Sequence, residues 1–328
     1  MIQVIDRTLS CLDRFRPDRA QLLALAALLA EAGADKLELS ESAYACLREH
    51  PCHVPAVLRV RSAADAVKYP EISGFVCPPA LHEISEKICV EIRVNDMHET
   101  YTFSKSVSYP HVRVRGLDNV LTYHYQVDFA GLSRMFSPEM EFCPTNRDGC
   151  ATAAAVEWAL NGTGRTVVTS FGGIGGFAAF EEVIMALRHV RRRKVGKNYP
   201  EFPNIRNLVE QITGVPFAPD KPVIGKEIFC VKSGIHVDGI LKQPRCYTPF
   251  LPEEAGQSHT ILLGKQSGMS AVSFKANEMG LNLNGRQTAR LLQAVKAMSE
   301  RKNGNLTDAE FAGLAQETSL PAEGSDTS

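Results

Sequence analysis

IQVIDRTLSCLDRFRPDRAQLLALAALLAEAGADKLELS, residues 2–40, reads as one strand–helix–strand unit. IQVID (2–6) is a short apolar run rich in β-branched residues. After Pro17, Leu22, Leu25, Ala26 and Leu29 recur at i, i+3, i+4 and i+7, the stripe of an amphipathic helix. Ala32-Gly33 closes that helix, and KLELS (36–40) starts a second strand. The alternation continues along the chain. Further strands are expected at 54–60, 72–77, 87–94, 111–115, 139–143 and 165–170, with helices at 149–161 and 179–193. The second of these ends in the basic run RHVRRRK, which suits a helix C-terminus. Strands alternating with helices imply a parallel sheet with βαβ crossovers, and eight of them imply an α/β fold of the (β/α)8 TIM-barrel type. Such barrels usually take ~250 residues, and this one must close within roughly 200. The stretch 61–110 shows no convincing long helix, so shortened units are expected there.

The expected organisation is an abridged barrel over 1–195, a linker or lid module over 196–280, C-terminal helices over 281–317 and a disordered tail over 318–328. Charge and composition narrow the function. With 36 Lys+Arg against 37 Asp+Glu, the formal net charge is −1, which is no basic arm for nucleic acid. The basic residues at 191–194 read as a solvated helix end, without the interleaved aromatics of a nucleic-acid patch. No run of ~18 apolar residues suggests a membrane span, and the start shows no signal-peptide pattern. Nine cysteines, an odd count without a C-x-x-C, point to reduced thiols in a cytoplasmic protein.

The most specific motifs lie near the C-terminus: Ser233-Gly234-Ile235-His236, then Tyr247-Thr248-Pro249-Phe250, then Leu263-Gly264-Lys265-Gln266-Ser267-Gly268. In this order and spacing they resemble the linker module of homocitrate synthases, the nitrogen-fixation type best, and of 2-isopropylmalate and citramalate synthases more loosely. The segments 24–40 and 140–187 are similar to the family's barrel. The resemblance implies an acyltransferase of acetyl-CoA and a 2-oxo acid such as 2-oxoglutarate, with His236 and Tyr247 as catalytic groups. It also implies a divalent metal that polarises the keto oxygen, and a homodimer in which each lid module covers the partner's barrel.

At the barrel positions the chain departs from the family pattern. Aligning Thr8-Leu9 puts Ser10 in place of the family's Arg and Cys11 in place of its metal-ligand Asp. Cys143 and Thr145 stand where two His ligands are expected, and Phe177 where an Asn is expected. Glu38 and Asn146 match, and with Ser10 they are the candidate substrate contacts. A hard cation prefers carboxylate and water oxygens, so the family metal is expected to be lost and no cofactor is implied in its stead. Cys11 and Cys143, read as facing the barrel mouth from strand ends, are open to two readings: a soft-metal or redox pair, or small buried thiols filling vacated space. The GGIGG run (172–176) is open to anion or pantetheine contact, or to a plain permissive loop. Two functions follow as expectations. One is a divergent homocitrate-synthase-like enzyme. The other is an inactive paralogue that binds acyl-CoA or an organic acid, or that serves as a regulatory subunit in a heteromer with an intact synthase.

Overall fold

The computed structural model describes residues 2–50, 53–79, 85–106, 109–137, 139–161, 165–190 and 197–319. The basic run at 191–194 lies outside them. Of the expected tail, Thr318 and Ser319 end the last helix, and 320–328 lie outside the described residues. The chain divides into two compact units, Met1–Gly225 and Lys226–Ser328.

The first unit is a closed parallel barrel of eight strands in sequence order. They are β1 (Gln3–Asp6), β2 (Lys36–Leu39), β3 (Ala56–Arg59), β4 (Phe75–Cys77), β5 (Ile88–Val94), β6 (His111–Gly116), β7 (Glu141–Pro144) and β8 (Thr166–Thr169). Closure is between β1 and β8, with Val4 opposite Val167 and Asp6 opposite Thr169. All eight strands expected from the sequence are present.

Helix α1 (Thr8–Leu12) follows β1 directly, and α2 (Arg19–Glu31) buries Leu22, Leu25, Ala26 and Leu29, the stripe read from the sequence. Asp18 caps α2: its carboxylate accepts from Gln21 N at 2.8 Å, while Gln21 Oε1 accepts from Asp18 N at 3.0 Å, a reciprocal capping box. Then come α3 (Glu41–Leu47), α4 (Met97–Ser106), α5 (Tyr125–Phe136), α6 (Ala151–Leu160), α7 (Phe180–Val190) and α8 (Phe202–Thr213). Where shortened units are expected, only a 3-10 turn, Ala63–Lys68, lies between β3 and β4 among the described residues. Helix α4 corrects the expectation that 61–110 lacks a long helix. Its sequence, MHETYTFSKS, has no apolar stripe, so periodicity could not reveal it. Phe129, Phe142 and Trp158 pack edge-on or tilted at 5.3–5.7 Å and tie α5 and α6 to β7.

The second unit contains β9 (Cys230–Val231), α9 (Gly234–Lys242), β10 (Thr260–Ile261), α10 (Met269–Glu278), α11 (Gly285–Lys302) and α12 (Asp308–Ser319). Strands β9 and β10 pair in parallel. The helices bury Val237, Val272, Leu291, Val295, Phe311 and Ala315 in one core. Among the described residues, no helix is long and apolar enough to cross a membrane.

Candidate functional site

The barrel interior is where the two faces of a parallel strand matter most. Helices cover the outer face, and inward residues usually form apolar layers of Val, Ile and Leu. Here the inward positions of β2, β3, β5, β6 and β7 carry Glu38, Arg59, Glu91, Arg113, Arg115 and Glu141, joined by Arg7 just beyond β1. Glu38 is fully buried. It takes Arg59 Nε at 2.8 Å, Arg7 Nη2 at 3.5 Å and a close contact from Arg113 Nη1. Glu91 takes Arg59 Nη2 at 2.6 Å, Arg115 Nη1 at 3.3 Å, Arg113 Nη1 at 3.5 Å and Arg7 Nη1 at 3.6 Å. Glu141 accepts from Arg113 Nε at 2.6 Å.

Burial acts to raise the Glu38 carboxyl, but the surrounding guanidiniums outweigh it and hold the group well below its usual range. The same contest brings Glu91 down to about 2. Asp6, at the end of β1, goes the other way: burial pushes it up to about 7, against hydrogen bonds from Thr8 N and Thr8 Oγ1.

Of the sequence-derived candidates at the barrel, Glu38 and Ser10 belong to this network, and Thr145 and Asn146 bond elsewhere. Ser10 Oγ donates to Glu38 Oε1 at 2.9 Å. Cys11 sits in α1, not on a strand end as expected, because the chain turns helical straight after β1. It packs with Cys143, Ile5, Val168 and Phe177 in one apolar cluster. Thr145 bridges to the backbone of Phe177. Asn146 Oδ1 accepts from Ala151 N at 3.0 Å, at the N-terminus of α6. The guanidinium of Arg7 lies 4.0 Å above the Phe177 ring, with Nη1 3.3 Å from Cys143 Sγ. Arg115 approaches the same ring at 4.9 Å.

A divalent cation does not fit this donor set. Phe177 has no donor atom. Burial pushes the Cys11 thiol up to about 11 and raises Cys143 as well, so neither is a ready thiolate. Two guanidiniums flank the same ring and would repel a cation. Among the described residues, no group of three or more His, Cys, Asp or Glu is arranged to hold a metal.

The second unit brings the three C-terminal motifs together. Gly234 N donates to Gln266 O at 3.2 Å, so the S-G-x-H and G-K-x-S-G segments meet backbone to backbone. A Cβ on Gly234 would stand 2.8 Å from Gly268 N, which is why glycine is needed there. Ser267 Oγ accepts from Gly264 N at 2.9 Å and closes the second loop on itself. Tyr247 packs so closely on Gly239 of α9 that a Cβ there would lie 2.2 Å from its ring. His236 and Tyr247 face one another at 6.0 Å between ring centroids. With Cys230, Lys232, Cys246 and His259 they line one cavity of about 570 Å³.

Residues 223–303 match the family described as homocitrate synthase post-HMGL domain-like. The match starts just before the second unit and contains all three motifs. Homocitrate and 2-isopropylmalate synthases are homologues of this chain. The omega subunit of homocitrate synthase from Clostridium pasteurianum is 26% identical over 310 residues, 88% of each chain. Homocitrate synthase AksA from Methanocaldococcus jannaschii is 36% identical over 49% of this chain and 40% of its own length. For 2-isopropylmalate synthase 2 of Caldanaerobacter subterraneus the figures are 36%, 55% and 47%. The chain thus covers most of the omega subunit but under half of these two synthases. Among solved structures, the carboxyl transferase domain of Rhizobium etli pyruvate carboxylase superposes with a TM-score of 0.52 at 12% identity, over 93% of this chain and 61% of that one. Hydroxymethylglutaryl-CoA lyase from Pseudomonas aeruginosa does so at 0.50 and 13%, over 65% and 92%. Both share the barrel fold.

Sequence reasoning missed Arg7, Arg59, Glu91, Arg113, Arg115 and Glu141. A signal was available: EIRV and RVR place charges at alternate positions of strands that a barrel buries. It also missed His259, whose two ring nitrogens are buried without a hydrogen-bond partner beside Phe229.

Proposed function

We propose that this chain is the lid-bearing subunit of a homocitrate-synthase-type acyltransferase, supplying His236 and Tyr247 to the barrel of an intact synthase chain. The observation that carries the reading is the mouth of its own barrel. There Cys143 and Phe177 stand where the family pattern expects ligands, and Arg7 occupies the space between them. The omega-subunit name of the relative that matches along 88% of its length supports an assembly of unlike chains. Condensing acetyl-CoA with a 2-oxo acid requires a proton to leave the acyl methyl group, the resulting carbanion to attack the keto carbon, and water to cleave the thioester. An imidazole and a phenol facing one another on an open surface can move such a proton and hold the thioester oxygen. His236 and Tyr247 meet that description, while the metal step falls to the partner's barrel.

Co-expression with an intact homocitrate synthase tests the reading, with light scattering for mass and release of free CoA from acetyl-CoA and 2-oxoglutarate for activity. The expected result is a mixed complex, no turnover by this chain alone, and at least a tenfold loss in the complex when His236→Ala is introduced here. Full turnover by this chain alone would place catalysis in its own barrel and overturn the proposal.

A further inference from the structure

The barrel mouth that does not fit a cation has the opposite chemistry to offer. We propose that it binds a small oxyanion, a monocarboxylate or bicarbonate, between the guanidiniums of Arg7 and Arg115 and against the ring of Phe177.

The first argument is a shortage of acceptors. Four guanidiniums, those of Arg7, Arg59, Arg113 and Arg115, share three carboxylates, Glu38, Glu91 and Glu141. The two oxygens of Glu91 alone are approached by all four. Asp6 is the nearby carboxyl that could make up the difference. It turns instead to Thr8, and burial leaves it short of a full charge at neutral pH.

The second argument is independent of the count. Arg7 Nε, Arg113 Nη2 and Arg115 Nε are buried donors with no hydrogen-bond partner. Arg113 is 0% exposed and Arg7 5%. A buried donor of a charged group is costly to leave unpaired, so three together call for an acceptor that the chain does not provide. Arg7 and Arg115 have two neighbours in common, the Phe177 ring and Glu91, which brings the two guanidiniums into one place. The Arg115 side chain is 22% exposed, so it forms the solvent edge of the network, with Arg7 buried behind it. Planar oxyanions suit guanidinium forks because each oxygen can accept along an N–H direction.

Thermal melting of the full chain alone tests this, with sodium acetate or bicarbonate titrated against equal sodium chloride. Arg115→Gln is the comparison, since it removes the unmatched charge and leaves three guanidiniums facing three carboxylates. Acetate or bicarbonate is expected to raise the melting temperature of the wild type and not that of Arg115→Gln. Without oxyanion, the variant is expected to melt no lower than the wild type. Arg115→Lys, which keeps the charge but gives up the planar fork, is expected to lose most of the response. Which of acetate and bicarbonate acts at lower concentration identifies the source. Equal responses in wild type and Arg115→Gln, or an undiminished response in Arg115→Lys, would overturn the proposal. So would a chloride response as large as that to the oxyanions, or stabilisation by Mg²⁺ or Mn²⁺ beyond that of matched chloride. No partner chain is involved, so failure here is distinct from failure of the assembly reading.

Discussion

Arg7 Nη1 lies 3.3 Å from Cys143 Sγ, inside a barrel whose interior is held by ion pairs. The thiol has the apolar cluster of Ile5, Val168 and Phe177 on one side and the guanidinium on the other. Burial is the larger influence and raises the Cys143 pKa despite Arg7. Cys11, in the same cluster, is pushed up to about 11 for the same reason. Its thiolate fraction at neutral pH is therefore about a hundredfold below that of an ordinary thiol whose pKa is near 9. Alkylation with iodoacetamide followed by peptide mass spectrometry is expected to label the exposed Cys246 well before Cys11, Cys143 and the buried Cys89, whose thiol burial also pushes up. Early labelling of Cys11 would contradict this ordering.

Glu38 is the acceptor that Arg7, Arg59 and Arg113 share. Glu38→Gln keeps the shape but strands three guanidiniums around a neutral amide. Breaking a buried pair on one side costs about 3–5 kcal/mol. Urea unfolding is expected to show a loss of that order, with Arg19→Ala, which breaks the exposed pair with Glu49, changing stability by less than about 1 kcal/mol.

Asp6 has a folded pKa of about 7, raised by burial from an ordinary value of 3.8. Between these values the folded state binds the proton more tightly than the unfolded state. Stability from this group is therefore fully present below about pH 4 and is lost as pH rises through 7. Glu181, also raised to about 7 by burial, acts in the same direction. Glu91, lowered to about 2, contributes stability that is present above its unfolded value of 4.5 and lost as pH falls toward 2. Asp6→Asn is expected to reduce the fall in stability between about pH 4 and 7. An unchanged slope, read from urea midpoints across that range, would refute the assignment.

Gly172 follows β8 with φ +64°, and a Cβ there would stand 2.1 Å from the Phe217 ring. Its amide donates to Glu181 Oε2 at 2.8 Å. Gly172→Ala therefore combines a left-handed backbone with a clash, and a destabilisation of about 1–3 kcal/mol is expected. Adding Phe217→Leu should return part of the clash cost but none of the backbone cost. Full additivity of the two substitutions in a double-mutant cycle would show that ring and glycine do not interact. For the GGIGG run, this contact makes backbone geometry a sufficient reason for its first glycine.

Much of the fold was legible because it depends on local periodicity. The stripe of Leu22, Leu25, Ala26 and Leu29 is buried as read, and each apolar run became a barrel strand. Helix α4 was not legible, since Thr100 is buried there without an apolar repeat around it. Cys11 was placed on a strand end because the alignment carries residue order but not the turn into α1.

By itself the sequence determined the alternation of elements, the three C-terminal motifs and the residue types Cys11, Cys143 and Phe177. These depend on residue type and spacing along the chain. Only the tertiary structure decided what stands together at the barrel mouth. Arg7, Glu38, Arg59, Glu91, Arg113, Arg115 and Glu141 come from six separate segments, and the charge of each is set by neighbours brought close by barrel closure. Coulomb interactions depend on separation in space and on burial, and neither is written in the order of residues.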